Sequence, residues 1–150
     1  MVNSSTKVRI CLEMKGHRLI TIGPDDTVET AIRKLVDNKI GAMPVCDRQG
    51  NLIGIVSERD LLKECSQRAK RISKTPVKDV MTKDVVIGIM DDDLDYVMDI
   101  MTQKGIRHLP IMDGPTLKGM VSIRDAVDIQ LEKSKGEVRF LNTYISGGYH

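Results

Sequence analysis

A nine-residue stretch of this chain is written twice. Leu52-Ile-Gly-Ile-Val-Ser-Glu-Arg-Asp60 returns 65 residues later as Leu117-Lys-Gly-Met-Val-Ser-Ile-Arg-Asp125, with six of nine positions identical. Upstream, Asp25 and Asp26 return as Asp91 and Asp92, Ile40 as Ile106, Pro44 as Pro110 and Asp47 as Asp113, all 66 apart. The offset changes by one residue between Asp47 and Leu52, where a turn absorbs a deletion at least cost. Two copies of one supersecondary unit must bury their apolar faces together, and a cleft between related surfaces is where a small ligand sits.

A chain of 150 residues suits one compact domain or two small halves, and at this size roughly 68–70% of the unfolded surface is buried without staples. The net charge of +2 creates no field that draws the molecule to nucleic acid or lipid. With no Trp, one Phe and three Tyr, it lacks a stacking platform for single strands. No apolar run is long enough for a membrane helix, and no apolar core follows the N-terminal charges as in a secretory signal. Cys11, Cys46 and Cys65 are odd in number and far apart, which implies reduced thiols and a cytoplasmic setting.

The expected organisation is copy one over residues 8–66, a linker at 67–76, copy two over 77–132 and a C-terminal tail at 133–150. Each copy opens on a short amphipathic turn (Val8, Cys11, Leu12; Val77, Val80, Met81), followed by a brief buried strand at Leu19–Ile22 or Val85–Ile87. Acids and Thr27 then supply helix starts, Asp or Thr accepting an orphan amide. A first helix at 27–38 is expected to bury Val28, Ile32, Leu35 and Val36; its counterpart at 93–104 buries Leu94, Val97, Met98 and Met101. The next strands carry Pro44 and Pro110, which lack an amide donor, so each is expected at a sheet edge or to start there. A four- or five-residue turn and a stronger strand (Leu52–Val56, Leu117–Val121) complete a hairpin. A second helix follows Ser57 and Ser122, burying Leu61, Leu62 and Cys65 in copy one. The order per copy is β-α-β-β-α. Residues 66–76 read as a solvated polar connector, and Val138, Leu141 and Ile145 as a docking helix at a subunit contact.

No catalytic constellation emerges. His17, His108 and His150 fit no metal-ligand spacing, and no nucleophile elbow, dinucleotide fingerprint or Walker loop is present, so neither an enzyme nor a required cofactor is expected. What stands out is Ser-x-Arg-Asp, twice, at the junction of an apolar strand and a helix. Two roles compete for it. Ser-x-x-Asp closes a capping box, worth ~1 kcal/mol to the helix start. Alternatively, the acid grips the two hydroxyls of a ribose, with the adjacent Arg offering a planar fork to phosphate. Ile22, Met43 and Val45 would then form an aliphatic wall that holds a purine by dispersion.

The ordered motifs resemble the CBS domain. Val77-Lys-Asp-Val-Met-Thr82, the Leu-Pro-Ile-x-Asp run at 109–113 and Gly119-Met-Val-Ser-Ile-Arg-Asp125 carry the resemblance in copy two, and the Ala-Met-Pro-Val-x-Asp run at 42–47 with Gly54-Ile-Val-Ser-Glu-Arg-Asp60 carries it in copy one. Together they look like a stand-alone CBS pair, or Bateman module, over about residues 8–132. The resemblance implies an α/β (α+β) fold of two β-α-β-β-α repeats packed through their sheets about a pseudo-twofold axis and pairing into a homodimer. It implies adenosine-type ligands in two clefts: AMP, ADP or ATP, with S-adenosylmethionine or NADH also within the family's range. It places Asp60 and Asp125 on ribose hydroxyls and Ser57 and Ser122 near sugar or phosphate. Thr21, Ile22, Ala42, Met43 and Pro44 would line an adenine pocket, Leu109 and Pro110 count with the second site, and Arg59, Arg124, Arg107 and His108 are the phosphate candidates. The copies differ: Gly41-Ala42 stands where copy two has Arg107-His108, and Thr21 becomes Ile87. The expected function is a non-enzymatic sensor that signals to an unidentified protein target. The rival reading is an assembly dimer with vestigial, ligand-free clefts.

Overall fold

The computed structural model describes residues 6–16, 18–68 and 71–133. The C-terminal tail, with its expected docking helix, lies outside them, as do His17 and His150. Helix α1 (Val8–Met14) leads into helix α2 (Val28–Asn38), strands β1 (Ala42–Cys46) and β2 (Leu52–Ser57), and helix α3 (Glu58–Arg68). A 3₁₀ turn (Val77–Asp79) opens the second half, followed by strand β3 (Gly88–Ile89), helix α4 (Leu94–Lys104), strands β4 (His108–Asp113) and β5 (Thr116–Ser122), and helix α5 (Ile123–Lys133). No helix among the described residues is long and apolar enough to cross a membrane.

The duplication seen in the sequence is repeated bond by bond. The Asp26 carboxylate accepts the Gly23 amide at 2.9 Å, and 66 residues on Asp92 accepts the Ile89 amide at 2.8 Å. The Glu58 amide donates to the Gly41 carbonyl at 2.9 Å and the Ile123 amide to that of Arg107 at 2.8 Å, the first residue shifting by 65 and the second by 66. β1 pairs antiparallel with β2, and β4 with β5, each hairpin bulging at the equivalent place, Val45/Cys46 and Ile111/Met112.

Three expectations need correction here. The first strand of each copy is shorter than its apolar run: Ile22 makes a single bridge to Val45, and β3 spans Gly88–Ile89, leaving Ile87 half exposed. The cause is proline. Ile22 donates its amide to the Pro44 carbonyl and accepts the Cys46 amide; the next rung upstream would need an amide that Pro44, or Pro110, does not have. For the same reason β4 is central, not an edge: it lies between β3 and β5 and tolerates Pro110 because pairing to β3 starts at Ile111. The helix faces are also narrower than the sequence spacing suggested. Val36 and Leu62 are each 69% exposed, while Ala31 and Glu64 turn inward.

Each leading segment docks on the other copy. The Val8 amide donates to the Asp92 carbonyl (2.9 Å) and the Arg9 amide to that of Met90 (3.2 Å), while the Val77 amide reaches Asp26 (2.7 Å) and Lys78 reaches Pro24 (3.0 Å). Accordingly Val8, Cys11 and Leu12 are buried with Leu94, Val97 and Met101, and Val77 with Val28, Leu35 and Met43. Glycines make room for this exchange. A Cβ on Gly54 would stand 2.6 Å from Met81 Sδ, and one on Gly119 2.8 Å from Leu12 Cδ2. The connector is likewise not simply solvated. Carbonyls of Ile72 and Thr75 accept the first α2 amides, from Glu29 and Val28, at 3.0 and 2.9 Å, and Thr75 is buried. Thr27 caps α2 by accepting the Thr30 amide at 3.1 Å, but Asp93 gives α4 no side-chain cap and pairs with Lys7 instead.

Candidate functional site

The two Ser–Asp junctions lie at corresponding ends of the two hairpins. Ala42 pairs with Ser57, and His108 with Ser122. His108 Nε2 comes within 3.1 Å of where a Gly41 Cβ would stand, and Glu58 Cδ within 3.7 Å of the same point. The Ser–Asp ends of the two hairpins therefore meet, with Glu58 and His108 at the contact.

Both junctions form capping boxes. Asp60 Oδ2 accepts the Ser57 amide and hydroxyl, each at 3.0 Å, and the Asp60 amide returns to Ser57 Oγ at 3.3 Å. Asp125 Oδ2 accepts the Ser122 amide at 2.8 Å, and its own amide donates to Ser122 Oγ at 3.0 Å. The capping role is therefore made in both copies, and any ligand must use what remains of each carboxylate. For Asp60 that is Oδ1, which among the described residues has only the Thr82 hydroxyl at 3.5 Å. For Asp125, Oδ1 accepts no hydrogen bond among the described residues, but Oδ2 also takes the Lys15 ammonium at 2.7 Å.

The electrostatics follow from these contacts. Burial alone would raise the Asp125 pKa, but the Lys15 hydrogen bond and the Ser122 amide outweigh it and hold the carboxyl below its ordinary value. Burial pushes the His108 imidazole below its usual value. Asp125 and Glu58 pull it up, while Lys15 and Arg107 add to the depression. Cys11, packed under Asp125, is driven up to about 11 by burial first and by that carboxylate second, so it is a neutral thiol filling the core.

The remaining sequence candidates fall into three groups. Arg59, Arg107 and Arg124 are exposed, free to swing toward an anion. Met43 and Leu109 are core side chains at 0% and 1% exposure, and Ala42, Pro44 and Pro110 are buried in the same strands. Thr21 and Ile22 line a cavity of about 850 Å³ with Lys34, Arg48 and, from copy two, Leu117. The Thr21 carbonyl there accepts Lys34 Nζ at 2.8 Å. This cavity opens at the turn end of the hairpins. Its lining residue Ile22 bridges Val45, which pairs with Gly54, three strand steps of ~3.3 Å from Ser57, so the near wall lies roughly 10 Å from that junction along β2.

Sequence reading missed Lys15, Glu58 and Thr82 as neighbours of the carboxylates. Lys15 and Asp125 are 110 residues apart, and no local pattern links them. The difference between Glu58 and Ile123 was legible as a break in the repeat, but its contact with the Gly41–His108 pair was not.

The CBS-domain family profile matches residues 13–67 and 77–132. The mitochondrial CBS domain-containing protein CBSX3 of Arabidopsis thaliana is 33% identical over 129 residues, covering 83% of this chain and 63% of that protein. The chain thus spans less than two thirds of that relative. Among solved structures, the CBS-domain containing protein ATU1752 from Agrobacterium tumefaciens superposes with a TM-score of 0.79 at 36% identity, covering 83% of this chain and 99% of that one. The CBS domain pair of MJ0100, solved with 5′-methylthioadenosine and S-adenosylmethionine, gives a TM-score of 0.77 at 25% identity over 86% of this chain and 98% of that one. CBSX2, solved in complex with AMP, gives 0.68 at 28% identity over 78% and 90%. Repeated motifs, repeated hydrogen bonds and these likenesses agree: the chain belongs to the CBS-domain family and carries two CBS domains as a pair.

Proposed function

We propose that this CBS pair is a non-catalytic regulatory module. It binds an adenosine-type ligand beside the Ser–Asp junctions, works as a homodimer and passes ligand occupancy to a partner protein. One observation carries the reading: two carboxylates on equivalent strand-to-helix turns flank the Gly41–His108 contact between the copies, each with an Oδ1 that accepts no short hydrogen bond among the described residues. Support comes from similar CBS structures solved with AMP or with S-adenosylmethionine and methylthioadenosine. In this reading Asp60 and Asp125 take ribose hydroxyls, and the exposed Arg59, Arg107 and Arg124 meet phosphate. Binding changes the geometry between the copies only by as much as affinity differs between their two arrangements.

A melting screen with AMP, ATP, NADH and S-adenosylmethionine tests the proposal. Ligand at 100 times its dissociation constant adds ~2.7 kcal/mol, a midpoint rise of roughly 5–10 °C at this chain length. Asp60→Ala and Asp125→Ala should each remove the shift contributed by its own junction. No shift with any adenosine compound rejects the sensor reading.

A second reading, an assembly dimer with ligand-free clefts, is favoured by Val36, Leu62, Tyr96 and Leu131, all more than half exposed. It predicts a concentration-dependent dimer by sedimentation with no ligand effect on melting.

A further inference from the structure

The two junction carboxylates are held by different partners: a serine hydroxyl shares Asp60 Oδ2, and a lysine shares Asp125 Oδ2. Lys15 follows α1, whose position on copy two is fixed by three buried side chains, Val8, Cys11 and Leu12. From that anchor its ammonium donates to Asp125 Oδ2 at 2.7 Å and to the Met120 carbonyl at 2.8 Å. The pair is only 33% and 22% exposed at its two side chains, so it is partly desolvated and bound to backbone as well as carboxylate. That sets it apart from the exposed pairs Lys7–Asp93 and Lys78–Asp25.

Among the described residues no cation pairs with Asp60. Leu12 and Met81 play the same part, each seated against the glycine of its strand. Counting three residues on from each, Lys15 corresponds to Asp84. In sequence register an acid replaces the lysine, and the side-chain donors to Asp60 among the described residues are neutral hydroxyls, Ser57 at 3.0 Å and Thr82 at 3.5 Å.

We infer that Lys15 is an intramolecular competitor for Asp125, a latch that keeps this carboxylate from the ligand and leaves Asp60 as the higher-affinity junction. The inference rests on the ligand reading proposed above. A ribose gripping a carboxylate uses both oxygens, and at each junction Oδ2 already carries two donors: the Ser57 amide and hydroxyl on Asp60, the Ser122 amide and the Lys15 ammonium on Asp125. At Asp60 the competing donor is a neutral hydroxyl that can rotate away, whereas at Asp125 a sugar must displace a charged ammonium also tied to the Met120 carbonyl, or accept one hydrogen bond fewer. If the latch is closed nine-tenths of the time, apparent affinity at that junction falls ~10-fold.

Calorimetry with adenosine and with AMP separates the outcomes. The wild type should bind with one dominant site that Asp60→Asn removes. Lys15→Met should tighten or add a second site, by about tenfold, and Asp125→Asn in that background should remove it. Lys15→Arg, which keeps the charge, should leave the second site weak and guards against a general effect of altering α1. Unchanged or weaker binding by Lys15→Met, with the wild type still binding, overturns the latch alone. Absence of binding by the wild type and every variant overturns the ligand reading itself, and the latch with it.

Discussion

His108 Nε2 stands 3.1 Å from the point where a Cβ on Gly41 would be, so the imidazole of copy two occupies space that copy one leaves empty by having glycine. At the equivalent position copy two has Arg107; the pseudo-symmetry is broken where the two copies touch. Gly41→Ala should push the imidazole off its site and destabilise the fold by ~1–3 kcal/mol, the usual range for overpacking. The added methyl should be nearly neutral in a His108→Ala background. A double-mutant cycle by urea denaturation measures the coupling; additive effects would mean that the two residues do not meet.

The crossed leading segments make a sharper comparison. An alanine methyl at Gly54 would face Met81 Sδ at 2.6 Å and the Thr82 backbone carbonyl at 3.1 Å, whereas at Gly119 its three nearest neighbours would all be Leu12 side-chain atoms, the nearest at 2.8 Å. A side chain yields more readily than backbone. Gly54→Ala should therefore cost more than Gly119→Ala, roughly 2–3 against 1 kcal/mol. Leu12→Ala should relieve the second clash and not the first. Equal costs, or rescue of Gly54→Ala by Leu12→Ala, would contradict the exchange of segments between the copies.

That exchange marks the limit of what the chain disclosed before folding. The α-β-β-α order shared by both copies, the Thr27 cap and the one-residue deletion in the hairpin turn were readable because each depends on neighbours within a few positions. Asp47 shows this: it accepts the Gln49 and Asn51 amides at 3.0 and 2.9 Å inside its own five-residue turn. The docking of Val8 and Val77 was not readable. The two segments carry the same apolar spacing, so periodicity says that each is buried but not against which copy. Val36 and Leu62 misled for a related reason, since helical spacing defines a stripe whose width depends on the surface it meets. At the site, the repeated Ser and Asp were legible as a pair with two possible roles. Their unequal environment, through Lys15, was a tertiary fact.

Helix ends offer a built-in control. Lys39 terminates α2 in the left-handed region at φ 55°, and Gly105 terminates α4 equivalently at φ 65°. Only glycine adopts that conformation without a Cβ penalty. Lys39→Gly should raise stability by ~1 kcal/mol, and Gly105→Lys should lower it by a similar amount. Thermal melting of the two variants should move in opposite directions by ~2–4 °C each. A loss of stability in Lys39→Gly would show that the Lys39 side chain contributes more than its backbone strain costs.

Acid should weaken this fold in two stages. The folded state binds a proton at His108 less readily than the unfolded chain, whose ordinary value is 6.5. The stability tied to neutral His108 is present above that value and is lost as pH falls through the lower folded value. Asp125 follows further down: its folded pKa lies below the ordinary 3.8, so its contribution is present above 3.8 and disappears as pH falls through the depressed value. Glu58, Asp125, Lys15 and Arg107 all act on His108, so its share is best isolated by difference. Urea denaturation from pH 7.5 to 3 should show the wild type losing stability below pH 6.5 with a slope of at most ~1.4 kcal/mol per pH unit from this proton. His108→Asn should flatten the curve between pH 7 and 5 and leave the lower limb in place. Asp125→Asn should remove part of the lower limb and, by taking away a carboxylate that pulls His108 up, carry the imidazole's loss further toward acid. Parallel curves for the wild type and His108→Asn would show that the imidazole protonates as easily in the folded cleft as in water.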